Sequence, residues 1–305
     1  MQPHRRRGVS DEFLWLSECE KLYGTNLLSG YLQLGIGTSS ECEGNGSRIG
    51  SPGSMNEPGH AGIGDSAGER FYEIDFARGI AIVMMIIFHT LFDIAFLGIY
   101  PVSVYSGFWH IFAYVTATLF VLLVGISLTL SAARAVPQLQ GFAYAWKFIR
   151  RGLWIFALGM VITFATWIYL GEGYVIFGIL QLIGISVILG PVFFRFKMKN
   201  IIFGSVAILA GLMLQGVEGP IWLVWLGIHP QSFYSVDYTP LLPWFGVVLI
   251  GIAVGQWLYP GGLRRFSLPE LKFPPIRGIS FLGRHSLFIY FIHQPIILIA
   301  LSFLR

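Results

Sequence analysis

The chain has 305 residues, of which 55% are hydrophobic and only 12% charged, and its mean hydropathy is +0.68. Soluble domains are roughly a quarter charged, so a water-facing surface on all sides is excluded. The net charge of +4 would suit nucleic acid, but the positions of the basic residues assign them to membrane topology instead.

Residues 1–69 open with HRRR and hold a Gly/Ser-rich stretch from Thr38 to Gly68. The run LLSGYLQLGI at 27–36 is too short and too Gly-interrupted for a signal-peptide core. The segment is expected to be a disordered tail. Met55 opens MNEPGHAGIGDSAGERFYEIDF, which reads as a natural protein start. Residues 1–54 are therefore expected to stem from a start codon assigned too early. Both cysteines, Cys19 and Cys42, lie in this tail, so no disulfide and no Cys-based metal site frames the rest. Neither an HExxH-type spacing nor a phosphate-binding glycine loop occurs, and no metal is expected.

A membrane-spanning helix needs about 20 mostly apolar residues. In chain order the candidates are 76–99, 107–133, 149–170, 174–194, 201–218, 241–259 and 281–304. Residues 221–228 (IWLVWLGI) are too short to cross and are expected at the interface, anchored by Trp222 and Trp225. The expected fold is an all-α polytopic membrane helix bundle of about seven transmembrane helices.

Fourteen Lys and Arg residues lie between 69 and 304. Arg70 and Arg78 flank the start of the first span. Arg134, Lys147, Arg150 and Arg151 flank the second loop. Arg195, Lys197 and Lys199 fill the fourth. Arg264, Arg265, Lys272, Arg277 and Arg284 fill the sixth. All fall on one face of the seven-span arrangement, which the positive-inside rule makes cytoplasmic. The N-terminus is expected inside, in a multi-pass protein of the plasma membrane.

Ionisable residues within a span are functional candidates by default. His89 and Asp93 sit four apart on the first span and share a helix face. His89 lies about 21 Å along the helix from Asp75, past the bilayer midplane. A carboxylate one turn from an imidazole fixes its tautomer and raises its basicity, as a general base requires. The bland alternative for the pair is interhelical hydrogen bonding. His293, followed by Gln294 and Pro295, lies at similar depth on the last span. Gln181 needs a partner in lipid, and simple interhelical bonding explains it as well as a site does. His110, beside Trp109, opens the second span as an interface or site residue. Glu172 and Asp237 sit on outer loops, where solvated carboxylates are the commoner reading. Asp75 and Arg78 bracket the first turn of the first span, a placement that suits the helix dipole.

The segment YEIDFARGIAIVMMIIFH, Tyr72 to His89, resembles the opening of the heparan-α-glucosaminide N-acetyltransferase catalytic domain. FVLLVGISL (Phe120 to Leu128) and IFGILQLIGIS (Ile176 to Ser186) resemble its second helix and its Gly-x-Leu-Gln-x-x-Gly helix. DYTPLLPWFGVVLIG and GRHSLFIYFIHQP resemble segments of small prokaryotic relatives. The likeness covers about residues 70–304, and residues 70–305 are identified as a transmembrane acyltransferase-like domain. In the lysosomal member Asn stands at the place of His89, and His110 is the candidate for that enzyme's loop histidine.

The resemblance implies transfer of an acyl group, expected to be acetyl, from acyl-CoA to an amine or hydroxyl of a sugar-like acceptor. It makes His89 and Asp93 the candidate catalytic residues, and His293, Gln181 and His110 the candidates for acceptor binding. Asp75, Arg78, Arg150 and Arg151 become candidates for the anionic cosubstrate. The partners expected are the lipid bilayer, acyl-CoA and the acceptor, with a homodimer admitted and nucleic acid excluded. The alternative is a proton-coupled transporter, because intramembrane His and Asp also build proton relays.

Overall fold

The structure, a computed structural model, describes residues 71–268 and 274–303. The tail expected over 1–69, and the reading of Met55 as the start, lie outside the described residues. Eight α-helices are described: α1 (Tyr72–Phe96), α2 (Gly107–Ala135), α3 (Gly141–Leu170), α4 (Ile179–Phe193), α5 (Asn200–Leu214), α6 (Leu241–Leu258), α7 (Pro274–Arg284) and α8 (Ser286–Ser302).

Five helical runs are long and apolar enough to cross a membrane: α1, α2, α3, the run Ile179–Leu214 and α6. The α7–α8 pair, bent by 86°, makes a sixth if counted as one. The run Ile179–Leu214 doubles back on itself. Its first half runs parallel to α6, because Thr239 N–H donates to Phe177 O at one end and Gln256 Nε2 donates to Phe194 O, at 2.8 Å, at the other. Its second half runs antiparallel to α6, with Gly204 against Gly246 and Ile250, and Gly211 against Pro243. The turn between them, Phe194–Lys199, contains Lys197 at φ 47°. The described helices therefore traverse the bundle seven times, through α1 to α6 and α8. At 15 residues each, α4 and α5 span about 22 Å, short of the ~30 Å hydrocarbon core.

Small residues let the helices approach, the usual basis of packing in lipid, where water does not drive helices together. A Cβ on Gly152 of α3 would lie 2.6 Å from Gly184 O of α4, and one on Gly204 of α5 would lie 2.6 Å from Gly246 O of α6. The core is apolar, with Val121, Leu182, Val248 and Ile252 fully buried. Outside, α3 exposes Trp154, Phe164 and Ile168. So broad an apolar exterior is what a bilayer solvates and water does not. The chain is an all-α polytopic membrane bundle.

Three spans differ from the sequence expectation by five residues or more. The third begins at Gly141 rather than 149. The last span does not run through 281–304: α7 ends at Arg284 and α8 begins at Ser286. One straight helix would carry Arg284 and His285 into the apolar layer. The bend instead leaves Arg284 beside Asp75 at 3.5 Å, while Gly79 and Gly283 let α7 lie directly on the first turns of α1. The fourth span begins at Ile179 rather than 174, which puts Gln181 in its first turn. Trp222 and Trp225, expected at the interface, are both exposed on the α5–α6 connector.

Candidate active site

Two polar clusters occupy opposite ends of α1. The first lies at its N-terminal end. The chain directions bring the start of α1, the end of α2, the start of α3 and the end of α7 together there. They enclose a cavity of about 380 Å³ lined by Asp75, Arg78, Ser127, Ser131, Arg134, Lys147, Arg151 and Arg284, with Phe71, Ile74 and Leu130. Five cations thus face one carboxylate among the described lining residues. Asp75 accepts from Arg78 Nη1 at 3.3 Å and pairs with Arg284. Arg78 also donates to Ser127 Oγ. Of the sequence candidates, Asp75, Arg78 and Arg151 line this cavity and Arg150 does not. Adjacent helix residues point about 100° apart, so only one of Arg150 and Arg151 can face inward. Arg134, Lys147 and Arg284 join the cluster. The sequence assigns these three to membrane topology, because which basic loop residues converge is decided by packing.

Beside this cavity Glu73 accepts both guanidinium bonds of Arg264 at 2.9 Å and the Tyr259 hydroxyl at 3.0 Å. Arg264 is thereby engaged in fastening the chain after α6 to the start of α1.

The second cluster lies about 16 Å farther along α1, eleven residues beyond Arg78. The imidazoles of His89 and His293 meet edge to face, with centroids 4.9 Å apart. His89 Nδ1–H donates to Met85 O at 2.9 Å, and His293 Nδ1–H donates to Tyr290 O at 2.6 Å. A carbonyl can only accept, so both rings carry their proton on Nδ1 and keep the Nε2 lone pair. His293 Nε2 is buried with no donor in reach among the described residues.

Asp93 is 2% exposed, yet its carboxylate turns to α8 rather than to His89. Gln294 Nε2 donates to both of its oxygens, at 2.9 and 3.1 Å. The His89 tautomer is set by its own helix backbone instead. Gln181 Oε1 accepts from Gly178 N–H at 3.1 Å, and its Nε2 donates to Thr163 Oγ1 at 2.8 Å. Both ends of that amide serve the α4 start and the α3–α4 contact. His110 is exposed, with its ring against Tyr114.

Asp237, expected as a solvated loop carboxylate, is instead folded against the start of α4. Its Oδ2 would lie 2.7 Å from a Cβ on Gly178. It accepts from Ile179 N–H and from the Tyr290 hydroxyl, while burial lifts its carboxyl to about 6. Tyr290 in turn packs its ring 5.5 Å from His293. The connector is drawn in by Val236 N–H to Gly173 O, at 2.9 Å, and by Ser235 Oγ to Tyr174 O. The sequence reads Asp237 as a wet loop carboxylate, and only this docking leaves it half-buried.

Residues 70–295 match the family described as heparan-alpha-glucosaminide N-acetyltransferase, catalytic. The chain belongs to this family. Searches of curated proteins and of solved structures gave no significant match. The match begins just before α1 and ends within α8, so both polar clusters fall inside it. Membership makes the protein a multi-pass membrane protein of an acetyltransferase family.

Proposed function

We propose that this protein is an acyl-CoA-dependent acyltransferase of the plasma membrane, passing an acyl group, acetyl in the first instance, to an amine or hydroxyl of a sugar-like acceptor. The observation that carries the reading is the pairing of a five-cation cavity at one end of α1 with two lone-pair-bearing imidazoles about 16 Å away. The basic end is the cytoplasmic one by the positive-inside rule, which puts the N-terminus inside.

Acyl-CoA is cytosolic and carries its charge on phosphates, which guanidinium groups grip with charge-assisted bonds. Arg78, Arg134, Lys147, Arg151 and Arg284 hold those phosphates. At the far end His89 Nε2 takes the proton from the acceptor N–H or O–H as its nitrogen or oxygen attacks the thioester carbonyl. The C–S bond then breaks, the acyl group stays on the acceptor, and the CoA sulfur leaves and takes up a proton. The buried His293 provides a second lone pair toward the acceptor.

The test is transfer from radiolabelled acetyl-CoA by purified protein in detergent, against a panel of amino sugars and polysaccharides. General-base removal lowers rates about 10²- to 10⁴-fold, so His89→Ala is expected to abolish measurable transfer while leaving acetyl-CoA binding intact. Full activity in that variant rejects the base assignment. Absence of transfer by the wild type, with proton-coupled flux in liposomes, rejects the enzyme in favour of a transporter.

A further inference from the structure

The imidazoles of His89 and His293 meet only while α8 keeps one rotation about its own axis. Packing normally sets that rotation, and α8 has little of it: His293 and Leu301 are its buried residues. Two hydrogen bonds to carboxylates bracket His293 instead. Gln294 Nε2 donates to Asp93 of α1, and the Tyr290 hydroxyl donates to Asp237 of the α5–α6 connector. Tyr290, His293 and Gln294 project within an arc of about 100°, so both bonds act on the face that carries the imidazole. Asp237 is itself held in place. Gly178, just before α4, has no side chain to cap that helix, and Asp237 accepts from Ile179 N–H in its stead. A carboxylate is also favoured at a helix N-terminus. On either side of it, Val236 N–H donates to Gly173 O and Thr239 N–H to Phe177 O, each at 2.9 Å.

We infer that Asp237 is a positioning residue for the histidine pair: through the Tyr290 hydroxyl it fixes the turn of α8 that carries His293, and so makes the α5–α6 connector part of the active site. The inference rests on the acyltransferase reading, in which the pair acts on the acceptor. Asp237 touches no reacting atom and works only through Tyr290. The Tyr290 ring lies 5.5 Å from that of His293, on the same helical turn, and its carbonyl takes the His293 Nδ1–H at 2.6 Å. When the hydroxyl bond is lost, that turn is free to rotate about the remaining bond from Gln294 to Asp93. His293 then leaves its 4.9 Å contact with His89, while Asp93 keeps α8 in the bundle. The effect is a displacement of the imidazole and not an unfolding.

Steady-state kinetics with acetyl-CoA and glucosamine test this. Tyr290→Phe removes the hydroxyl and keeps the ring. A misplacement of about 1 Å at a reacting group lowers rates by about 10²-fold, so this variant is expected to lose tenfold or more in kcat while the KM for acetyl-CoA stays within twofold. Asp237→Ala is expected to lose as much. Asp237→Asn still offers the hydroxyl an oxygen and recovers most of that loss. Adding Tyr290→Phe to Asp237→Ala costs nothing further, because the two residues act through one bond. Unchanged kcat in Tyr290→Phe, losses that multiply in the double variant, or an Asp237→Asn as impaired as Asp237→Ala overturns the assignment. If the wild type acetylates nothing, the acyltransferase reading fails on its own. The positioning is then decided by the nuclear Overhauser contact between the two histidine rings in detergent, assigned by its disappearance in His293→Ala. Its loss in Tyr290→Phe upholds the role of the Asp237–Tyr290 bond, and a contact of wild-type strength overturns it.

Discussion

Arg150 and Arg151 offer a direct test of the basic cavity, because they are neighbours in sequence, equal in charge and equal in their effect on topology. Only Arg151 lines the cavity. If the cavity holds the phosphates of acyl-CoA, Arg151→Gln removes one charge-assisted hydrogen bond, a contact worth about 1.5–3 kcal/mol. Arg151 is exposed toward the cavity mouth, so solvent screening favours the lower figure. About 1.5 kcal/mol corresponds to roughly tenfold in affinity. Arg150→Gln is expected to change affinity less than twofold. Isothermal titration of acetyl-CoA into each purified variant at low salt measures both. Raising the salt to physiological strength, where charges are screened beyond about 8 Å, is expected to narrow the difference. Equal losses in the two variants would mean that acetyl-CoA responds to the overall positive face and not to this cavity, and would refute the assignment.

Three further outcomes follow from the geometry. Gly204→Leu forces side-chain atoms into the Gly246 carbonyl, where even a Cβ would sit at 2.6 Å. Overpacking of this kind is unfavourable by about 1–3 kcal/mol, so the melting temperature in detergent is expected to fall, and an unchanged value argues against the close α5–α6 approach. Asp237 has its folded value lifted to about 6, chiefly by burial, above the roughly 3.9 of a free carboxyl. The folded state thus favours the neutral acid, and this contribution is full below about pH 4 and lost as pH rises through about 6. Relative to Asp237→Asn, the wild type should lose melting temperature between pH 4 and 6.5, and parallel curves would contradict the buried placement. With the basic end inside, a cysteine at Trp222→Cys is expected to react with membrane-impermeant maleimide on intact cells, and one at Lys197→Cys only after permeabilisation. The reverse pattern inverts the topology.

The spans were legible because a bilayer demands long apolar runs, and the basic loops alternate as the helices do. The ends of α1, α2 and α6 came within a few residues for that reason. The bend at His285 was not legible, since Phe281 to Gly283 is apolar enough to extend a span. It is the packing of Gly79 and Gly283 and the pull of Asp75 on Arg284 that turn the chain there. The His89 and His293 pairing was anticipated from depth along two helices, because rise per residue is fixed in any α-helix. Their hydrogen-bond partners were not, because rotation about the helix axis is set only by packing.

The sequence by itself determined a multi-pass helical membrane protein, its family, and which ionisable residues fall within apolar runs, since hydropathy and charge act locally along the chain. The tertiary structure decided that Asp93 bonds Gln294 and not His89, that Arg151 and not Arg150 joins Arg134 and Lys147, and that Asp237 docks half-buried against the start of α4. Those outcomes depend on contacts between residues up to about two hundred positions apart, and no local pattern encodes which faces of distant helices will meet.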